Sequence, residues 1–204
     1  HRHESEDNAV LLAKTPNWDS LTAENPWSLV DASELYVGLP EGQMGNSEVG
    51  HNAIGAGRVF DQGAKLVAEA IAGGKMFSGK GWNEVIGNCL ARSSTLHFIG
   101  LFSDGNVHSH IDHLCALLRQ CDAEQVKKVR VHILLDGRDV GETSALGYVD
   151  ALEERLESIR RRGDRDYRIA SGGGRMHITM DRYQADWAMV ARGWQTHVRG
   201  EGRG

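Results

Sequence analysis

Three apolar runs, each closed by a polar cluster and separated by helix-spaced segments, constrain this chain most. They are Leu96-His97-Phe98-Ile99-Gly100-Leu101, Val129-Arg130-Val131-His132-Ile133-Leu134-Leu135 and Tyr167-Arg168-Ile169-Ala170. Between them, Ser109–Cys121 carries Ile111, Leu114, Leu118 and Cys121 on one stripe. Thr143–Arg162 repeats Leu146, Val149, Leu152, Leu156 and Ile159 at intervals of three or four. Strands alternating with helices of these lengths predict an α/β fold with a parallel sheet and right-handed crossovers. The first run is apolar enough to predict a strand buried on both faces. Further helices are predicted over Asp61–Gly73, Gly79–Ser93 and Met180–Arg192, with Gly172-Gly173-Gly174 as a turn.

The N-terminal third reads differently. Residues 8–35 form a helix-rich lead-in, with Pro16 in a first turn and Pro26 as a stop, then a possible short strand at Trp27-Ser28-Leu29-Val30. A strand-like stretch from Tyr36 leads to Met44-Gly45-Asn46-Ser47-Glu48-Val49-Gly50-His51, after which Val49–Ala56 suits a helix. Ser47 is the candidate nucleophile. At a helix N-terminus, free N–H groups and the macrodipole favour an anion bound to its hydroxyl. Alternatively, Asn46 or Ser47 is simply an N-cap.

The three polar clusters fall after the three strands, where ligands bind in parallel sheets. Asp104-Gly105-Asn106-Val107-His108-Ser109-His110 follows the first, Asp136-Gly137-Arg138-Asp139 the second, and Gly174-Arg175 with Arg182 the third. Arg138 offers a planar fork for a carboxylate or phosphate and Asp139 an acceptor for a substrate hydroxyl, although the two could equally form a local ion pair. Arg175 and Arg182 add cations, and together with Arg138 these arginines make an anion cradle. His108 fits an acid/base or phosphate-donor role, while His108 and His110 two residues apart are a poor metal pair. The glycine run matches no nucleotide-binding motif.

Bulk properties exclude several classes. With 204 residues, 40% hydrophobic and 25% charged, a real core can be buried, and no run approaches the roughly 20 apolar residues of a membrane span. A net charge of −5 gives no nucleic-acid footprint. Cys89, Cys115 and Cys121 have neither metal nor redox spacing, pointing to a reducing cytoplasm. Nothing at the start reads as a secretion signal, and His1 could equally be a cut edge.

The run Gln43–His51 with Gly55-Ala56-Gly57-Arg58, together with Ser103–His110, Leu135–Val140, Gly174-Arg175 and Met180-Asp181-Arg182, resembles cofactor-independent phosphoglycerate mutases. The resemblance runs in order from about Asp7 to the C-terminus. It implies an alkaline-phosphatase-like fold that interconverts 3- and 2-phosphoglycerate through a phosphoserine, using two divalent metal ions, Mn2+ foremost with Mg2+ or Co2+ as alternatives, and no bisphosphoglycerate. By resemblance, Ser47 is the phosphorylated nucleophile and a metal ligand, and Asp139 is the acid/base partner. His108, Arg138, Asp139, Arg175 and Arg182 would hold the substrate.

Residues 1–60 would belong to the phosphatase-like domain and 61–204 to an inserted phosphotransferase domain. Such a protein is expected to be a cytoplasmic monomer whose partner is a small molecule, with no nucleic acid or membrane. Family members are longer, and their remaining metal ligands, a lysine and an Arg-rich motif have no counterpart here. Asn106 stands where the family has glycine, and one extra residue separates Arg175 from Arg182. Two alternatives stay open: a module that binds phosphoglycerate without turning it over, and a metal-dependent phosphotransferase acting on another phosphorylated sugar.

Overall fold

The computed structural model describes residues 8–39, 41–43, 45–181 and 183–202, so Arg182, Met44 and Pro40 of the motifs above lie outside the described residues. Contacts divide the chain into two units, His1–Ala32 and Ser33–Gly204. In the first, α1 (Ala9–Leu12) precedes α2 (Pro16–Glu24), whose Pro16 sits in the first turn, where no N–H is missed. The helix stops before Pro26, as expected. Trp27–Val30 forms no strand: with Leu29 and Val30 exposed and, among the described residues, no strand paired with it, β-propensity alone cannot make one.

The second unit is built on a three-stranded parallel sheet in the order β1 (Leu96–Phe102), β2 (Lys128–Leu135), β3 (Asp166–Gly174). Pairing is in register from Leu96↔Val129 to Phe102↔Leu135, and Leu135 pairs with Gly174, so all three strands end together. α5 (Lys80–Arg92), α6 (Ile111–Ala123) and α7 (Ala145–Arg161) bury Ile86, Leu118, Leu152, Leu156 and Ile159 with Val129, Val131, Ile133 and Tyr167 in one core. Tyr167 closes it, its hydroxyl donating to Val126 O at 2.8 Å. The predicted stripes are those that pack, except that Leu146 at the start of α7 is 74% exposed.

β1 is half-covered, not buried on both faces. Leu96 and Phe102 enter the core while Ile99 is 60% exposed and His97 is exposed beside it, the alternation of a strand with one packed face. On that second face a polar chain runs across the sheet. His97 Nδ1 lies 2.9 Å from His132 Nε2, His132 Nδ1 2.6 Å from Ser171 Oγ, and Ser171 Oγ 2.8 Å from His197 Nδ1.

The glycine run is strand, not turn. A Cβ on Gly172 would lie 2.6 Å from Ile133 Cγ1, and one on Gly173 2.6 Å from Ile178 Cδ1, so β3 can pass here only without side chains. The last helix begins later than its pattern predicts. Thr179, Tyr183 and Gln184 have φ of 70°, 65° and 58°, which breaks the helix before α8 (Trp187–Trp194), capped by Asp186 accepting from Met189 N at 3.0 Å.

Before the sheet, Glu34–Val37 forms a 3-10 turn, not a strand, and α3 spans Ser47–Ala56. The loop between this turn and α4 (Gly63–Ala72) is pinned at its base. Gly38, at φ 82°, lies so close to Phe60 that a Cβ would sit 1.8 Å from the carbonyl oxygen. Gln62, buried, donates its backbone N–H to Gly38 O at 3.0 Å and its amide to Val37 O at 3.3 Å.

Candidate functional site

The carboxyl ends of the three strands are joined by one side chain. Asp136, the first residue after β2, accepts at Oδ1 from the N–H of Arg138 (3.1 Å) and Asp139 (3.0 Å) and from Arg175 Nη1 (3.0 Å). Its Oδ2 accepts from Ser103 Oγ, just past β1, at 2.5 Å. Burial would raise this carboxyl, but the Ser103 hydroxyl, the two backbone N–H groups and the Arg175 guanidinium outweigh it and hold Asp136 below the usual carboxylate range. Arg175 reaches the same place from the end of β3, its N–H donating to Leu135 O at 2.8 Å.

Arg175 Nη1 also donates to Asp139 Oδ2 at 2.7 Å. Burial works against its charge, yet the two carboxylates more than offset that and raise its pKa further. The loop after β1 closes on the same point, since a Cβ on Gly105 would lie 3.0 Å from Asp139 Cβ. The structure thus brings Asp139 and Arg175 together, with Arg138 on the same turn but its side chain exposed. Arg175 is an arginine held from below by two carboxylates, not a solvated surface cation.

His108 is exposed on the loop after β1 and borders a cavity of about 500 Å3. His110 is the N-cap of α6, Nδ1 accepting from Asp112 N at 3.1 Å. Asn106 adopts φ 54°, in the left-handed region that glycine enters most easily and asparagine tolerates. Its Nδ2 donates to Gln43 Oε1 at 3.0 Å while Gln43 Nε2 donates to Asn106 O at 2.6 Å. This pair of hydrogen bonds ties the serine loop to the rim, and Asn46, Glu48 and Val49 border the same cavity as His108.

Ser47 is the first residue of α3 and is exposed. Asn46 is the N-cap, accepting from Val49 N at 3.0 Å, so the capping role falls to the neighbour and leaves the serine hydroxyl free of it. Ser47 Oγ lies 3.1 Å from His51 Nδ1, and the same nitrogen is 2.7 Å from Ser47 O. A carbonyl oxygen only accepts, so Nδ1 carries the hydrogen and His51 is not poised as a base for Ser47 here. Among the described residues no group of three His, Cys, Asp or Glu side chains converges to hold a metal, so the donors of this chain do not by themselves fit the expected ions.

Sequence reasoning missed Asp136 and His51 as organisers. Asp136 left a signal, an Asp-Gly pair directly after a strand, which is where an aspartate accepts from N–H groups two and three residues on and glycine supplies the positive φ, 71° at Gly137. Ser103 left none.

A parallel sheet with its polar clusters gathered at the strand carboxyl ends defines an α/β domain of the kind that takes ligands at that edge. The chain belongs to the family described as BPG-independent PGAM N-terminus (iPGM_N), whose model matches residues 67–204. It is 58% identical over 96% of its length to a probable 2,3-bisphosphoglycerate-independent phosphoglycerate mutase of Leptospira interrogans, and 53% identical over 95% to the Zea mays mutase. A crystal structure of Leishmania mexicana phosphoglycerate mutase at low cobalt concentration superposes with a TM-score of 0.83 at 46% identity over 95% of the chain. The chain spans 36% of the Leptospira protein, 35% of the maize protein and 36% of the Leishmania chain.

Proposed function

We propose that this chain is the part of a cofactor-independent phosphoglycerate mutase that carries the nucleophile and half of the substrate cradle, an isomerase acting on 2- and 3-phosphoglycerate in glycolysis and gluconeogenesis. The observation that carries the reading is the Gln43–Asn106 double hydrogen bond, which couples the Ser47 loop to the rim holding Asp139 and Arg175. In the proposed reaction Ser47 Oγ bonds to phosphorus as the bond to the glycerate oxygen breaks. Asp139 serves the proton exchange at the glycerate hydroxyls, and the second hydroxyl then takes the phosphoryl group back from the serine. Arg138, Arg175, His108 and Arg182, the last outside the described residues, neutralise the phosphate and carboxylate.

Two divalent ions, manganese first among them, complete the site in this reading, with Ser47 as one ligand and the other donors outside this chain. No step is drawn through them. The domain assignment, residues 1–60 in a phosphatase-like domain and 61–204 in an inserted phosphotransferase domain, belongs to the same proposal, as do a monomeric state and a cytoplasmic location. The location is supported by three free, buried thiols, that of Cys121 pushed up to about 12 chiefly by burial. Among the described residues no helix is long and apolar enough to cross a membrane.

The test is rapid quenching of the complete enzyme with 3-phosphoglycerate followed by peptide mass measurement. Phosphate on Ser47 is expected, and phosphate on any other residue rejects the assignment. The scattered metal donors favour a second reading for these 204 residues alone, binding without turnover. Calorimetry with 3-phosphoglycerate decides it: heat of binding without product supports the module, and turnover by the isolated chain removes it.

A further inference from the structure

Asp136 and Asp139 both hold Arg175, but they are not equivalent. The Asp136 side chain is 1% exposed against 14% for Asp139, and its two oxygens take four donors. Three of these donors fall on Oδ1 and one on Oδ2, and with the side chain 1% exposed no substrate reaches the lone pair that remains. Asp139 accepts from Arg175 at Oδ2 alone, and a proton taken up by its carboxylate weakens that ion pair. The partner that stays in place is therefore Asp136. Its grip is on Nη1 of Arg175; that side chain is only 5% exposed, and among the described residues no hydrogen bond falls on Nε or Nη2, so this edge of the fork is the one that can turn to an anion.

The donors to Asp136 come from the ends of β1, β2 and β3. It therefore fixes the arginine relative to all three strands at once. We propose that Asp136 is a positioning residue, which touches no substrate itself but locks the guanidinium of Arg175 so that Nε and Nη2 meet phosphoglycerate. The inference rests on the reading of Arg175 as a substrate arginine.

The test is steady-state kinetics of the complete enzyme with 3-phosphoglycerate. Asp136→Asn keeps the shape and the acceptor of the turn but removes the charge that faces Arg175. KM is expected to rise about tenfold with kcat within about threefold, because a misplaced binding group costs affinity before chemistry. On an Arg175→Gln background, Asp136→Asn is expected to change KM by less than about twofold, since residues acting as a unit are non-additive. A merely structural Asp136 gives the same KM change on both backgrounds, which overturns the proposal.

Arg175→Gln separates the two failures. If it leaves KM unchanged, the substrate reading of Arg175 is wrong; if it raises KM while Asp136→Asn does not, only the positioning role is. Should Asp136→Asn fail to fold by circular dichroism, Ser103→Ala, which frees Oδ2, stands in. A rise of about threefold that vanishes beside Arg175→Gln supports the proposal, and an unchanged KM or an equal rise on both backgrounds overturns it.

Discussion

The rim of the sheet and the first turn of α3 are both proposed to serve one reaction, yet they are built in opposite ways. The rim is cross-linked: a buried carboxylate, a buried arginine and a hydroxyl from three different strands close on one another at 2.5 to 3.0 Å. Ser47 is exposed and, among the described residues, bonded within its own turn, while its loop is joined to the rim through the Gln43–Asn106 amide pair. On that proposal, the contrast separates groups aimed before a ligand arrives from a group that moves between partners. Preorganised charge is useful only if rigid, whereas a nucleophile that takes and returns a phosphoryl group cannot be locked by hydrogen bonds.

The sharpest way to break this contrast is at the serine. Ser47→Ala in the complete enzyme should lower turnover by at least about 10^4-fold while shifting stability by no more than about 0.5 kcal/mol, as expected for an exposed nucleophile. Turnover assays and thermal melts on the same preparation check both halves, and retained turnover removes Ser47 from its role.

The framework under the rim should respond in the opposite sense. Leu156→Ala, deep under the sheet, is expected to cost about 3 kcal/mol in urea unfolding. Tyr167→Phe, which leaves the Val126 carbonyl without its buried donor, should cost about 1 to 2 kcal/mol.

Next comes pH. Burial first, then the neighbouring histidines, lowers the pKa of His132, and burial lowers that of His197. The unfolded chain therefore takes up protons first as pH falls below 6.5, so stability is retained above that value and lost between it and the depressed folded values. No carboxylate contributes to either shift; His97 and His197 are the neighbours whose protonation disfavours a second charge on His132. Melting temperature should fall from pH 7.5 to 5.5, and His132→Gln should flatten that slope; an unchanged slope removes the histidine chain as its source.

The smallest effect is expected at the amide pair. Asn106→Gly relaxes a φ of 54° and keeps the bond to the backbone oxygen but loses the one to Gln43 Oε1, for a net change under about 1 kcal/mol. A larger loss would mean that the serine loop is held far more firmly than its exposure indicates.

Periodicity carried the sheet order's ingredients, the helix stripes and the placing of all three polar clusters at one end, because a parallel α/β pattern leaves few alternatives. It failed where the deciding neighbour is distant in sequence. Whether Ile99 is covered depends on what lies over the sheet, and whether Gly172 turns or extends depends on Ile133 beside it. Trp27–Val30 shows the converse, strand-forming residues without a strand to join. The candidate residues were readable as types in strand-end loops, whereas the bonding of Arg175 to Asp136 became visible only once β2 and β3 lay side by side.

The close approach of Gly38 to Phe60, sealed by Gln62, has a consequence for how such chains can vary. Gly38 and Gln62 bring the two ends of the segment 39–61 to one spot, so length added away from the Gln43–Asn106 tie changes closure entropy only logarithmically. The serine segment is therefore a cassette: substitutions within it can retune the surroundings of Ser47, while alanine at Gly38, forced against a carbonyl, would unfasten the whole cassette at its neck.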